Sequence, residues 1–170
     1  MQFNVSSLLK ETTGATREYD IDDDVAINGA PRRVKGRVRF DRTPDGILVR
    51  ARLRGTMESD CSRCLRPLTF PVSVEFDEEY IPTIDILHGG RVEPREDEED
   101  AYRIDERHFL DLREPLDQYW QMALPMAPVC REDCAGLCPD CGGEIGADGH
   151  ECSHDHSDAR WAKLRNLKLG

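Results

Sequence analysis

Residues 31–56 read PRRVKGRVRFDRTPDGILVRARLRGT, and their alternation decides the fold. In an extended chain Val34, Gly36, Val38 and Phe40 fall on one face, while Lys35, Arg37 and Arg39 fall on the other. Pro44-Asp45-Gly46 then supplies turn chemistry. Past the turn, Ile47, Val49, Ala51 and Leu53 alternate with Arg50, Arg52 and Arg54. Two such strands joined by a short turn pair antiparallel, which puts six cations on one surface. Like charges facing each other across a ladder repel. The pattern therefore points to RNA or another polyanion on this face, held by Lys35, Arg37, Arg39, Arg50, Arg52 and Arg54. The competing reading is a solvated sheet face neutralised by the chain's own acidic loop.

Working outward, charge is unevenly spread. The 170 residues carry a net charge of -11, yet residues 31–56 hold nine basic side chains against Asp41 and Asp45. Residues 75–100 hold eleven acidic ones against Arg91 and Arg95. Residues 82–103, with Gly89-Gly90 and EPREDEED, read as a mobile acidic loop. A short strand is expected at 3–9, followed by an acidic stretch (Asp20, Asp22, Asp23, Asp24) of little periodicity. LTFPVSVEF at 68–76 alternates again, with Pro71 marking an edge or bulge. From Asp111, apolar positions at Leu112, Leu116, Tyr119, Trp120, Ala123 and Leu124 predict a helix with Pro115 in its first turn, ended by Pro125 and Pro128. A last helix is expected from Ser157 to Leu169. Strands first and helices later give an α+β fold. The form expected is an antiparallel β-sheet or partly open barrel with packed helices, carrying a small C-terminal cysteine-rich zinc-binding module. The division expected is 1–128 and 129–170.

The seven cysteines are clustered, and Cys-x2-Cys spacing is that of metal ligands. Counting His154, eight candidate ligands stand in the chain: Cys61, Cys64, Cys130, Cys134, Cys138, Cys141, Cys152 and His154. That is enough for one or two zinc ions. Three pairings fit the spacing. Cys130, Cys134, Cys138 and Cys141 could close a compact site. Cys138 and Cys141 could join Cys152 and His154, leaving Cys61 and Cys64 to meet Cys130 and Cys134. The two Cys-x2-Cys turns could also form a ribbon. The glycines after Cys141 let the backbone aim N–H groups at sulfur. A thioredoxin-like redox pair would need a βαβ setting that this pattern lacks. His88 and His108 read as surface residues.

No phosphate-binding glycine loop, nucleophile elbow or H-E-x-x-H helix is present, so no catalytic residue is expected. No run approaches a membrane span, and MQFNVSSLLKET lacks a cationic start with an apolar core. An odd cysteine count without such a leader suits reduced thiols and a cytoplasmic setting.

Together, FNVSSLL, the hairpin VKGRVRF…GILVRARLRGTM, CSRCLRPLTFPVSVEF, ALPMAPVC, CREDCAGLCPDCGG and DARWAKL resemble the YceD family, the large ribosomal RNA subunit accumulation proteins of bacteria and plastids. The resemblance implies a non-enzymatic factor in ribosome assembly whose partners are ribosomal RNA or the pre-ribosomal large subunit, with a ribosomal protein as the alternative. Where members show Cys-x-Cys after the CPxCG turn, this chain has Cys152-Ser153-His154. In the alternative, the protein is a zinc-stapled adaptor that meets proteins without touching RNA.

Overall fold

The computed structural model describes residues 1–93 and 101–145. Its elements are β1 (Gln2–Asn4), α1 (Ser6–Leu9), β2 (Thr16–Ile27), β3 (Ala30–Arg42), β4 (Ile47–Asp60), β5 (Pro67–Pro82), β6 (Tyr102–Ile104), β7 (Phe109–Asp111) and α2 (Arg113–Met122). The main sheet has the order β2-β3-β4-β5-β6, and β1 pairs with β7 in a separate ribbon. The hairpin at 31–56 forms as the expected antiparallel pair, with Lys35, Arg37 and Arg39 opposite Arg54, Arg52 and Arg50.

Three expectations are corrected. The sheet is mixed, not wholly antiparallel, because β6 runs parallel to β5, and among the described residues its strand order does not close on itself. The stretch at 3–9 is a strand and then a helical turn. Asn4 Oδ1 accepts hydrogen bonds from the Ser6 backbone N–H (3.1 Å) and hydroxyl (2.6 Å), which ends the strand. The acidic stretch at 20–24 is the middle of the twelve-residue β2. Its Tyr19, Ile21, Val25 and Ile27 do alternate inward, and Glu18, Asp20, Asp22 and Asp24 stand opposite Arg39, Arg37, Lys35 and Arg33. Asn28-Gly29, both at positive φ (52° and 75°), close this hairpin as a two-residue turn whose twist matches the strands.

The helix begins two residues later than expected, at Arg113, since Asp111 still belongs to β7. Pro115 sits in its first turn and Leu116 and Trp120 are fully buried. Phe76 stacks on Tyr119 at 4.9 Å, and the Tyr119 hydroxyl donates to Glu78 at 2.6 Å, which seats α2 on β5. Phe3, Tyr19 and Phe40 pack as a ring cluster with centroids 5.0–5.2 Å apart, holding β1 to the sheet. Pro71 lies in β5 well away from Tyr80–Pro82, the only stretch that pairs with β6, so its missing N–H breaks no ladder bond there. Within the expected acidic loop, Ile84 bridges Arg91 and Tyr102–Ile104 forms β6; residues 94–100 lie outside the described residues. The expected terminal helix also lies outside them.

Contacts divide the chain into two compact units, Met1–Glu58 with Thr69–Met126, and Ser59–Leu68 with Ala127–Gly170. The boundary expected at 128/129 puts the turn at 59–68 with the sheet, whereas by contact it groups with the cysteine-rich unit. The first unit owns the main apolar core, including Val34, Val38, Phe40, Ile47, Val49 and Trp120.

A candidate metal centre and a charge-balanced sheet face

The turn between β4 and β5 is built by Cys61–Arg66. The Cys61 N–H donates to the Arg66 carbonyl (2.8 Å) and the Leu65 N–H to the Cys61 carbonyl (2.9 Å). Leu65 takes φ +60°, a left-handed backbone conformation that glycine adopts at no steric cost. The second half of the site is the turn at 130–134, where the Cys134 N–H donates to the Arg131 carbonyl at 3.1 Å. Arg63 clamps the halves together, its guanidinium donating to the carbonyls of Glu132 (3.2 Å) and Cys134 (2.9 Å). Ser62 adds a hydroxyl and an N–H bond to the Pro128 carbonyl.

These turns bring Cys61, Cys64, Cys130 and Cys134 together, with all four sulfurs within 4.8 Å of one another. The Cys61 and Cys134 sulfurs are 3.9 Å apart and those of Cys64 and Cys130 3.7 Å. A tetrahedron of thiolates about 2.3 Å from a zinc ion has edges of roughly 3.8 Å, so Cys61–Cys134 and Cys64–Cys130 stand at such an edge length and the set could hold a metal ion. Cys61, Cys64 and Cys134 are buried, while Cys130 opens to solvent.

The thiols are unequal. The Cys64 backbone N–H first, and then those of Arg63 and Cys130, lower the Cys61 thiol to about 6 against the opposing effect of burial. Cys64 is also lowered, chiefly by the Arg66 backbone N–H and then its guanidinium. Cys134 is pushed up to about 11 by burial. Arg66 lies 3.9 Å from the Cys130 sulfur and pairs with Glu144 at 2.8 Å. Four thiolates around a divalent ion carry a net charge of -2, and Arg66 partly offsets it.

Of the three pairings the spacing allows, the structure gathers Cys61 and Cys64 with Cys130 and Cys134. Cys138 and Cys141 form a separate turn. There the Cys138 N–H donates to the Gly143 carbonyl (2.7 Å), the Gly142 N–H to the Cys138 carbonyl (2.9 Å), and the Gly143 N–H to the Cys141 sulfur (3.4 Å). Cys152 and His154 lie outside the described residues. Arg63, Arg66 and Leu65 were not singled out by the sequence reading; their position inside or just after Cys-x2-Cys was the available signal. His88 is exposed and bonds Asp85, and His108 is half-buried at φ +61° in the turn before β7.

The six expected nucleic-acid contacts share one exposed face, as their register requires. That face is not a free cationic surface. Lys35 pairs with Asp22 (3.3 Å), Arg37 with Asp20 (3.2 Å), Arg39 and Arg50 with Asp41 (2.7 and 3.0 Å), and Arg52 with Glu75 (2.6 Å). Arg50 also reaches Asp77 at 3.5 Å. Arg54 alone of the six enters no ion pair among the described residues. The neutralising carboxylates come from the flanking strands β2 and β5 and from Asp41, and no ion pair from the six reaches the described part of the loop at 82–103. Two basic strands lie between two acidic ones.

A sequence model of a family described as large ribosomal RNA subunit accumulation protein YceD matches residues 49–168. The chain belongs to the YceD family. The matched stretch begins within β4 and takes in both halves of the cysteine cluster and the turn at 138–143. Uncharacterized proteins of Mycobacterium tuberculosis and Mycobacterium bovis are 34% identical to this YceD-family chain over 128 residues, 75% of it. One of Mycobacterium leprae is 30% identical over 140 residues, 82% of it. The chain spans about three-fifths of the length of these curated relatives, 58% and 60%. No solved structure matches it. The family is named for accumulation of large ribosomal subunit RNA. Among the described residues, no helix is long and apolar enough to cross a membrane.

Proposed function

We propose that this YceD-family chain is a non-enzymatic, zinc-stapled factor of the cytoplasm that supports large-subunit ribosomal RNA by docking on a protein component of the pre-ribosomal particle. Zinc would sit among Cys61, Cys64, Cys130 and Cys134, where it closes the two turns and does no chemistry, since four thiolates leave it no open position. A second zinc is proposed for Cys138 and Cys141 with Cys152 and His154.

The observation that carries the docking reading is the ion pairing of the sheet face. Phosphate binding draws its strength from uncompensated cations that displace counterions, and five of the six expected contacts are already matched by carboxylates a few ångströms away. A molecule of net charge -11 suits a basic protein better than RNA. Deleting the gene should lower large-subunit relative to small-subunit ribosomal RNA, and Cys61→Ser/Cys64→Ser should not restore it. The purified chain should bind large-subunit RNA no more tightly than the sub-millimolar range of weak electrostatic binding at ~0.15 M salt. Micromolar or tighter RNA binding that Arg50→Glu/Arg52→Glu/Arg54→Glu abolishes would overturn the docking reading in favour of phosphate contact on this face.

A further inference from the structure

Among the described residues β2 ends the sheet and no strand lies on its outer edge: its ladder partner is β3, and no other backbone hydrogen bond engages residues 17–27. The hairpin turn fixes which residues face outward. In a two-residue turn the flanking pair, here Ile27 and Ala30, is hydrogen-bonded, and bonded pairs recur at every second residue. Residues 27, 25, 23, 21, 19 and 17 therefore spend their N–H and C=O on β3. Glu18, Asp20, Asp22, Asp24 and Ala26 turn theirs to the open edge.

Four of these five outward-facing residues carry an acidic side chain. Asp20 is 85% exposed and Asp24 65% exposed, despite their pairing with Arg37 and Arg33. A strand added here would set its own alternate side chains directly opposite these carboxylates, at the spacing where cross-strand pairs interact. Its intervening side chains would stand beside Tyr19, Ile21 and Val25 on the inner face. Across the sheet the strands then read basic, acidic, basic, basic, acidic.

We infer that β2 is the docking edge, and that its occupant is an extended segment of a partner protein in which Lys or Arg alternates with apolar residues. The inference rests on the docking reading above and names its partner's chemistry. Main-chain bonds would supply affinity and the carboxylates would choose the sequence. Asp23 points to the inner side yet is exposed and meets no cation among the described residues, an inward charge that discourages a second copy of this edge.

The test uses a labelled, end-capped decapeptide of alternating Lys and Val, with a Glu–Val decapeptide as control. The Lys–Val peptide should bind with micromolar Kd and the control at least tenfold more weakly. Amide exchange should slow at Glu18, Asp20, Asp22 and Asp24 on binding and stay unchanged at Tyr19 and Ile21, which the ladder already protects. Asp22→Pro removes an outward N–H without breaking the ladder and should cost tenfold or more; Asp20→Asn/Asp24→Asn, which leaves the backbone intact, should cost several-fold. Binding without new protection at the even-numbered amides, or equal binding by both variants, would overturn the edge assignment. A parallel titration with protein extracted from purified large ribosomal subunits separates the two readings. Capture by the parent chain and by Asp22→Pro alike keeps the docking reading and sinks the edge; capture of no protein, with binding in a separate titration of the RNA stripped from the same subunits, sinks both.

Discussion

At Gly36 a single hydrogen decides whether β3 and β4 can pair. The residue sits at φ +152°, and a Cβ built there would lie 2.1 Å from the Arg52 carbonyl oxygen, a backbone atom that cannot swing away. Gly36→Ala should therefore destabilise the protein by about 2–4 kcal/mol, combining backbone strain with a forced shift of β4. Urea melts at neutral pH check this, and a loss under ~0.5 kcal/mol would show that the strands separate easily. Gly36 was legible as an inward position between Val34 and Val38, but its close approach to Arg52 was not, because proximity across strands depends on local twist that alternation does not encode. Leu65 is the opposite case. It is exposed and at φ +60°, and nothing in CSRCLRP marks it as the left-handed residue, since the fold imposes that conformation through the Cys61 carbonyl.

The elements show where reading by pattern fails and why. The hairpin at 31–56 was legible because its cations and apolar residues alternate cleanly. The strand β2 was hidden by Asp22-Asp23-Asp24, three acids that mask a period of two, although Asn28-Gly29 was a strong hairpin signal beside it. The helix α2 was legible as a helix but not at its start, because Asp111 has another task. It pairs in β7, accepts from Gln2 of β1 (3.0 Å) and from the Arg113 guanidinium (2.8 Å), and so ties three elements. Partial burial alone would raise its carboxyl, but the bonds from Arg113 and Gln2 outweigh it and hold it well below the usual carboxylate range. A lowered folded-state value stabilises above the unfolded value of about 3.9 and is lost as pH falls beneath it. Asp111→Asn should cost about 1–3 kcal/mol at pH 7, typical of hydrogen bonds to a charged group. In urea melts the gap to the parent should narrow as pH drops below about 4. A gap that persists undiminished at pH 2 would assign the effect to packing.

Across the whole molecule, the two units differ in what can hold them. The first buries a broad apolar set from Val5 to Trp120 and needs no staple. Among the described residues, the second has Cys61, Cys64 and Cys134 in its buried cluster, with Leu68 and Leu137 partly covered against it. That described cluster is small beside the entropy of ordering the two cysteine turns, about 1–2 kcal/mol per residue, so metal binding and the folding of those turns should be one event. The membership of the four-cysteine cluster joins residues 73 and 66 positions apart. The spacing supplied the candidate ligands and left three pairings open, since only the chain path from β4 through β5 and back to Ala127 selects among them. Chelation of the purified protein should therefore act unevenly. Amides of residues 61–66 and 130–134 should lose protection from exchange, while those of β3 and β4 between Val34 and Leu53 keep theirs. Cys61→Ser should reproduce the pattern without chelator, and added zinc should restore only the parent. Equal loss in both units would mean that the sheet also leans on the metal; protection unchanged in both would mean that hydrogen bonds such as those of Arg63 suffice to hold the cysteine turns.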